Sequence, residues 1–181
     1  LKELELRRHA ERAKDADALS PEGRAHAESV GRTLPIDYAV VFVSPAKRAA
    51  ETLAWLLRGS GQPVPSHGVV AGLASEVEDR WRTAAKAAGS SRMDIVATQD
   101  AQLVSDESAR LARVVREELF GHVAAGTKGL AVGHSPLIEA AVYGLLNLVL
   151  EPLRECEGVH LTMDEQGELR VQELRLPGEE A

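Results

Sequence analysis

The sequence is poor in several features, and each shortage closes off a class of protein. It holds one cysteine, Cys156, in 181 residues, so no intramolecular disulfide can form. A small, half-buried residue accounts for Cys156 better than a catalytic thiol does. No long hydrophobic run is present: the greasiest stretch, residues 145–150, is far too short to span a bilayer. The opening residues 1–8 alternate charged and apolar side chains, where a secretory signal would run apolar. The sequence opens on Leu1, which leaves room for a few residues ahead of it. An excess of positive charge is also missing, with 28 acids against 21 Lys and Arg and a net charge of -7. Nucleic acid and anionic membranes demand basic surface, so neither is an expected partner. No internal repeat, low-complexity tract or linker divides the chain, and a single domain over residues 1–181 is expected, acting in the cytoplasm.

What remains is an ordinary globular composition, 44% hydrophobic and 27% charged, with enough chain for a real core. Residues 2–8 alternate, with Leu4 and Leu6 on one face, and predict a strand ending at Arg8-His9. Glu3, Glu5 and Arg7 share the other face, so that face is either open or its charges pair. Ser20-Pro21-Glu22 opens a helix to about residue 34, with Ser as cap, Pro in the first turn and an acid beside it. Residues 39–43 form an apolar, β-branched strand, and Ser44-Pro45 repeats the cap-plus-proline signal for a helix over 45–58, stopped by Gly59-Ser60-Gly61. A short strand falls within 62–72 and an Ala-rich helix covers 75–88. An amphipathic helix spans 106–124, with Leu111, Val115, Leu119 and Val123 stacked at i+4. Strand 129–132 precedes Ser135-Pro136 and a helix over 137–148, and residues 159–163 and 169–174 flank a terminal hairpin turn.

Strands alternating with helices predict an α/β three-layer sandwich, a mainly parallel central sheet with helices on both faces. Ligands of such sheets sit beyond the carboxyl ends of the strands. Arg8 and His9 end the first strand, Arg48 lies in the first turn of the helix after the second, and His134 ends a later one. Arginine forks match phosphate oxygens, and helix N-termini offer free N–H groups. A neutral imidazole in such a nest is a nucleophile, and a second histidine can donate to the charge that builds on the equatorial oxygens. Ser44 and Ser135 stand at the helix starts as further phosphate contacts. His26, His67, His122 and His160 have no clustered partners in the sequence and are expected to be structural or superficial. No metal is expected, because Arg8 beside His9 would oppose a cation. Gly133-His134-Ser135 starts like the nucleophile elbow of serine hydrolases, but Leu137 replaces the second glycine and only His160 follows.

Four segments together carry a family resemblance. Leu6-Arg7-Arg8-His9-Ala10-Glu11 resembles the Arg-His-Gly/Ala signature of the histidine phosphatase superfamily, the phosphoglycerate mutase-like fold. Leu19-Ser20-Pro21-Glu22-Gly23, with Ala27 and Leu34, is similar to its Leu-Thr-x-x-Gly helix. Val43-Ser44-Pro45 with Arg48, Ala49 and Thr52 resembles its Ser-Pro-x-x-Arg-Ala-x-x-Thr element, and Val132-Gly133-His134-Ser135-Pro136 its Gly-His segment. The resemblance implies that His9 is transiently phosphorylated, that Arg8, Arg48 and His134 hold the phosphate, and that no cofactor is needed. The family's proton donor is a carboxylate after the third strand, often in a Leu-x-Glu context. Here Leu73 is followed two residues on by Ser75, and among Glu76, Glu78 and Asp79 the expected donor is Glu76. The implied activity is hydrolysis of a phosphomonoester, the substrate being a small phosphorylated metabolite or a phosphorylated protein. A phosphohistidine protein phosphatase, a phosphoglycerate mutase and a non-catalytic phosphate-binding module are the alternatives.

Overall fold

The structure, a computed structural model, describes residues 1–178, so the last three positions of the expected 1–181 domain lie outside the described residues. Six strands, β1 (Lys2–Arg8), β2 (Tyr38–Val43), β3 (Ser66–Val69), β4 (Lys128–Gly133), β5 (Gly158–Met163) and β6 (Leu169–Leu174), form one sheet in the order β3-β2-β4-β1-β5-β6. The first four of that order run parallel, and the β5–β6 hairpin is antiparallel. The parallel strands are joined through helices α1 (Pro21–Gly31), α2 (Lys47–Ser60), α3 (Glu78–Ala88), α4 (Met93–Val96) and α5 (Ala101–Arg113), with α6 (Leu137–Leu146) following β4.

Pleating sorts the core into two layers. Val41, Val43, Leu130 and Val132 point to the side covered by α1 and α2. Leu4, Leu6, Phe42 and Ala131 point to the side covered by α3 to α6, as the period-2 alternation of a sheet covered on both faces requires. Glu5 and Arg7 lie on the α1/α2 face and are both buried. They are tolerated because they pair: Arg7 Nε donates to Glu5 Oε2 at 2.9 Å, and Arg7 Nη1 to the Cys156 carbonyl at 3.0 Å. Glu3, nearer the surface, lies 2.8 Å from His160 Nε2.

Register sets the site. Arg8 is opposite Gly133 and Val43 opposite Val132, so β1, β4 and β2 end at one level. The ladder continues one step past each, through His9 N–H to the Gly133 carbonyl (3.0 Å) and Ser44 N–H to the Val132 carbonyl (3.1 Å). His9, His134 and Ser44 therefore leave three adjacent strands side by side.

Several helix starts differ from the sequence expectation. Ser20 does cap α1, accepting from Gly23 N–H at 2.9 Å, and a Cβ on Gly23 would meet the Glu11 carbonyl oxygen at 2.1 Å, which fastens α1 against the loop after His9. Helix α2, however, begins at Lys47 and not at residue 45, and its flanking Ala46 offers no side-chain cap. Asp17 caps it from the loop before α1, accepting from Lys47 N–H (2.8 Å) and Arg48 N–H (3.2 Å). Ser44 sits too close to the strand end to do so. At α6 the flanking residue is Pro136, again without a side-chain cap. Helix α3 starts at Glu78, three residues later than expected, because the Ser75 hydroxyl is held by Glu107 (2.7 Å). Helix α5 starts five residues earlier than expected, at Ala101, where Asp100 accepts from Leu103 N–H at 3.0 Å. It continues as a π-helical stretch, Val114–Leu119, that keeps Val115 and Leu119 buried. Asn147 in the left-handed region (φ 53°) stops α6 two residues early.

Candidate active site

His9, Arg48 and His134 meet at the bottom of a cavity of about 270 Å³. The His9 ring is oriented by its own backbone neighbour: Nδ1–H donates to the Ala10 carbonyl at 2.7 Å, which leaves the Nε2 lone pair free. Ala10 is fixed in turn, its N–H donating to Thr52 Oγ1 (3.0 Å), whose hydroxyl donates to the Arg48 carbonyl (2.7 Å). The nucleophile's backbone and the start of α2 are thereby locked together.

Arg48 bridges the two rings. Its Nε–H donates to His9 Nε2 and its Nη2 to His134 Nδ1, each at 3.3 Å. His134 then carries its proton on Nε2 and donates to the buried Ser44 hydroxyl at 2.6 Å. The rings stand edge to face with centroids 5.2 Å apart. The far side of the Arg48 guanidinium is pinned by Asp17, through Nη1 to Oδ1 at 2.8 Å. Burial tends to raise the Asp17 carboxyl, but the hydrogen bonds from Lys47 and Arg48 outweigh it and hold its pKa below the ordinary value.

Both rings are neutral near pH 7. Burial, with help from the Arg48 and Arg8 guanidiniums, brings His9 down to about 4. Burial first, then Arg48 and His9, brings His134 down to about 3, while Asp17 pulls the other way. A neutral Nε2 aimed at a guanidinium is a nucleophile beside an anion site. A phosphoryl group entering between the rings would meet donors from Arg48 and, once His134 takes a proton, from its Nδ1.

Arg8 is less direct. Its guanidinium donates to the Leu153 carbonyl (2.6 Å) and to Glu155 (3.2 Å) in the loop before β5. It does not line the cavity, but it is near enough to depress both histidines. Ser135 borders the cavity, yet its hydroxyl donates to Glu139 Oε1 at 2.5 Å. Glu139 is wholly buried, and burial pushes its carboxyl above the ordinary range. It also accepts from Leu153 N–H at 2.9 Å, tying the start of α6 to the loop that holds Arg8. Glu76 is exposed and outside the cavity lining. The carboxylate that lines it is Glu78, two residues on, in the first turn of α3. Because α3 begins at Glu78, Glu76 falls in the turn before the helix.

The outer wall consists of Trp81, Arg82 and Ala85 from α3, Ser91 from the loop after it, and Pro136 and Leu137 from the start of α6. Sequence reasoning named Glu78 only as an alternative to Glu76, and it missed Asp17, Glu139 and this wall. Glu139 left a signal, a lone acid inside the apolar run Leu137 to Val142. Asp17 left none, standing among other charges in a loop. Cys156 is buried and its thiol is pushed up to about 12, by burial above all. Among the described residues no three His, Cys, Asp or Glu side chains gather as a metal site, and no helix is long and apolar enough to cross a membrane.

A comparison with curated protein sequences finds no match. Solved structures do match in fold. Phosphoglycerate mutase from Bacillus anthracis str. Sterne superposes with a TM-score of 0.70 at 18% identity, over 94% of this chain and 91% of that one. Phosphoserine phosphatase from Entamoeba histolytica, in complex with 3-phosphoglyceric acid, gives 0.69 at 15% identity, over 97% and 98%. The protein histidine phosphatase SixA complexed with tungstate gives 0.53 at 23% identity, over 94% of each chain. The model of the histidine phosphatase superfamily (branch 1) matches residues 3–167, a span that contains every residue of the cavity floor, and the chain belongs to that superfamily.

Proposed function

We propose that this chain is a metal-independent phosphomonoesterase of the cytoplasm, a single domain that works through a phosphohistidine on His9. The observation that carries this is the bridge at the cavity floor: one guanidinium, Arg48, donates to the lone pairs of two neutral imidazoles. A phosphoryl group replaces that bridge with stronger, charge-assisted contacts. His9 Nε2 attacks phosphorus, the N–P bond forms and the bond to the leaving oxygen breaks on the opposite side, facing the open cavity. Glu78, the carboxylate on that side, gives its proton to the leaving oxygen. Water then attacks the phosphohistidine, its proton passes to Glu78, and the N–P bond breaks to release phosphate. Arg48 and His134 stabilise the equatorial oxygens in both steps, with Arg8 adding charge from behind and the Ser44 hydroxyl holding His134. The substrate is a small phosphorylated molecule.

The test is turnover of 4-nitrophenyl phosphate with mass-spectrometric trapping of the phosphoenzyme. Wild type is expected to turn over and to carry the label on His9, and His9→Ala to do neither. An unlabelled, inactive wild type would mean a phosphate-binding module instead.

A second reading has its own support. Glu78 is exposed and has no hydrogen bond or ion pair among the described residues, so nothing holds it as a proton donor. A phosphohistidine protein needs less acid assistance, since its leaving group is an imidazole. If Glu78→Gln slows an alkyl phosphate but leaves dephosphorylation of a phosphohistidine protein unchanged, both substrates use this site and only the ester needs the acid.

A further inference from the structure

Outside the phosphate end, the cavity lining is mostly apolar and carries little charge. Trp81 and Ala85 face it from one side and Pro136 and Leu137 from the other. At about 270 Å³ it lies at the lower edge of the sizes that small-molecule pockets occupy. Two charges stand on its rim. Arg82 is mostly exposed and is tied to Asp79 at 2.8 Å, so its charge is screened and partly neutralised. Glu78 has no cationic partner among the described residues. Among the described residues Glu78 is therefore the rim group without a charge partner, and it is negative whenever it is not carrying the proton for the leaving oxygen.

The wall is also rigid. Trp81 is buried, and its indole N–H donates to Glu107 Oε2 at 3.3 Å. The same carboxylate accepts from Ser75 (2.7 Å) and Arg110 (2.6 and 3.1 Å). Arg110 in turn donates to the carbonyls of Gly72 (2.8 Å) and Ala74 (3.0 Å). The approach to α3 is thus braced from α5, and the Trp81 wall cannot swing aside without breaking a buried network.

Resting on the phosphatase reading above, we infer that this site selects phosphate esters of compact, uncharged alcohols with an alkyl or aromatic face, and rejects leaving groups that carry a carboxylate. An apolar face is gained by burial against Trp81 and Leu137. A carboxylate there loses its hydration and finds no free cation, and it either meets an ionised Glu78 or competes with the leaving oxygen for the Glu78 proton.

A matched pair of esters tests this without changing the reacting bond: benzyl phosphate and 4-carboxybenzyl phosphate. Wild type is expected to show kcat/KM at least about tenfold higher for benzyl phosphate, mainly through KM, as like-charge repulsion and desolvation predict. Binding of the corresponding benzylphosphonates, read by competition, should follow the same order without any turnover. Ala85→Lys, a change at a half-buried helix position, puts a cation on the wall and should narrow or reverse the preference, read as the ratio of kcat/KM for the two esters within the same variant. Equal or better use of the carboxylated ester by wild type overturns the inference alone, if 4-nitrophenyl phosphate still labels His9. If 4-nitrophenyl phosphate leaves His9 unlabelled, the phosphatase reading falls and this inference with it.

Discussion

The two ends of the cavity are built by different means. Its floor is made of strand termini: His9, Ser44 and His134 follow directly from β1, β2 and β4, whose register aligns them to within one residue. Each floor side chain is then fixed by a short link, to a backbone carbonyl, a buried hydroxyl or Arg48. One side of the outer wall, facing Pro136 and Leu137 at the start of α6, comes from α3, which pairs with no strand and is located by a buried carboxylate on a different helix. The floor is thus a property of the sheet, and the wall a property of one side-chain network. A change to the wall should redirect which alcohol is accepted while sparing the chemistry, and a change to the floor should do the reverse.

The sharpest way to break that division is at the floor. His9→Ala should remove phosphoenzyme formation and cut turnover by more than about a thousandfold, since His9 Nε2 is the proposed nucleophile and the remaining cavity imidazole, His134, is committed to Ser44 through Nε2 and to Arg48 through Nδ1. Arg48→Ala should cost roughly a hundred- to a thousandfold in kcat, the scale of losing one donor to transition-state charge. Neither change should lower the melting temperature appreciably, because the exchange relieves a crowded, cationic pocket. A large loss of stability in His9→Ala would show that floor and fold are not separable in this way.

At the wall the expectation is inverted. Glu107→Ala leaves the Trp81 indole N–H, the Ser75 hydroxyl and the Arg110 guanidinium without their shared acceptor, and should destabilise the fold by about 2–3 kcal/mol. Glu107 is mostly buried, and although burial tends to raise it, the bonds from Arg110, Ser75 and Trp81 hold its pKa below the ordinary value. Urea denaturation measures the loss. In the surviving folded fraction, labelling of His9 at saturating substrate should persist while KM for benzyl phosphate rises. If labelling disappears with the stability, the wall reaches into the chemistry.

The same contrast explains what was legible in the sequence. The floor was readable because its residues sit at fixed offsets from strand ends, Arg8-His9 and Gly133-His134, and because strand ends follow from alternation and apolar runs. The parallel sheet, the terminal hairpin and the pairing of Glu5 with Arg7 rest on equally local signals. What failed was long-range. Ser44-Pro45 looked like a helix cap, and only the fold shows that the strand end sends Ser44 to His134 and leaves the cap to Asp17, thirty residues earlier. Glu76 and Glu78 differ by where α3 begins, which is decided by Ser75 bonding to a carboxylate on another helix. No window of neighbouring residues contains those partners.

The paired imidazoles give the floor a pH signature. Each histidine titrates near 6.5 in an unfolded chain but only near 4 (His9) and 3 (His134) in the fold, burial being the main cause. The unfolded state therefore binds more protons as pH falls below 6.5. Their contribution to stability is complete above 6.5 and declines through the acid range. From pH 6.5 towards 5 the decline should approach about 1.4 kcal/mol per pH unit for each histidine once its unfolded form is fully protonated. Glu139, raised by burial, works in the opposite direction, so the informative quantity is the difference in slope between wild type and His134→Gln. Urea midpoints at pH 7.5, 6.5, 5.5 and 5 should show a shallower slope in the variant. Equal slopes would mean that His134 takes up its proton in the fold as it does in the unfolded chain.

The smallest effect lies between the two ends, at Asp17. Its carboxylate caps α2 and also holds the outer nitrogen of Arg48, so capping and charge must be separated. Asp17→Ala removes both and should cost about 1 kcal/mol of stability, the usual worth of an N-cap. Asp17→Asn keeps an acceptor for the helix N–H groups and should cost only a few tenths of that unit. It also removes the one negative charge that offsets Arg48, leaving the floor more cationic. Inorganic phosphate, a competitive product, should then bind several-fold tighter to Asp17→Asn than to wild type, because each full charge near an anion site is worth about 1 kcal/mol or less at a partly exposed position. If Asp17 were only a cap, the Asn variant would bind phosphate as wild type does. A tightened inhibition constant, with stability nearly unchanged, would assign to Asp17 the task of keeping the floor from holding its product too well.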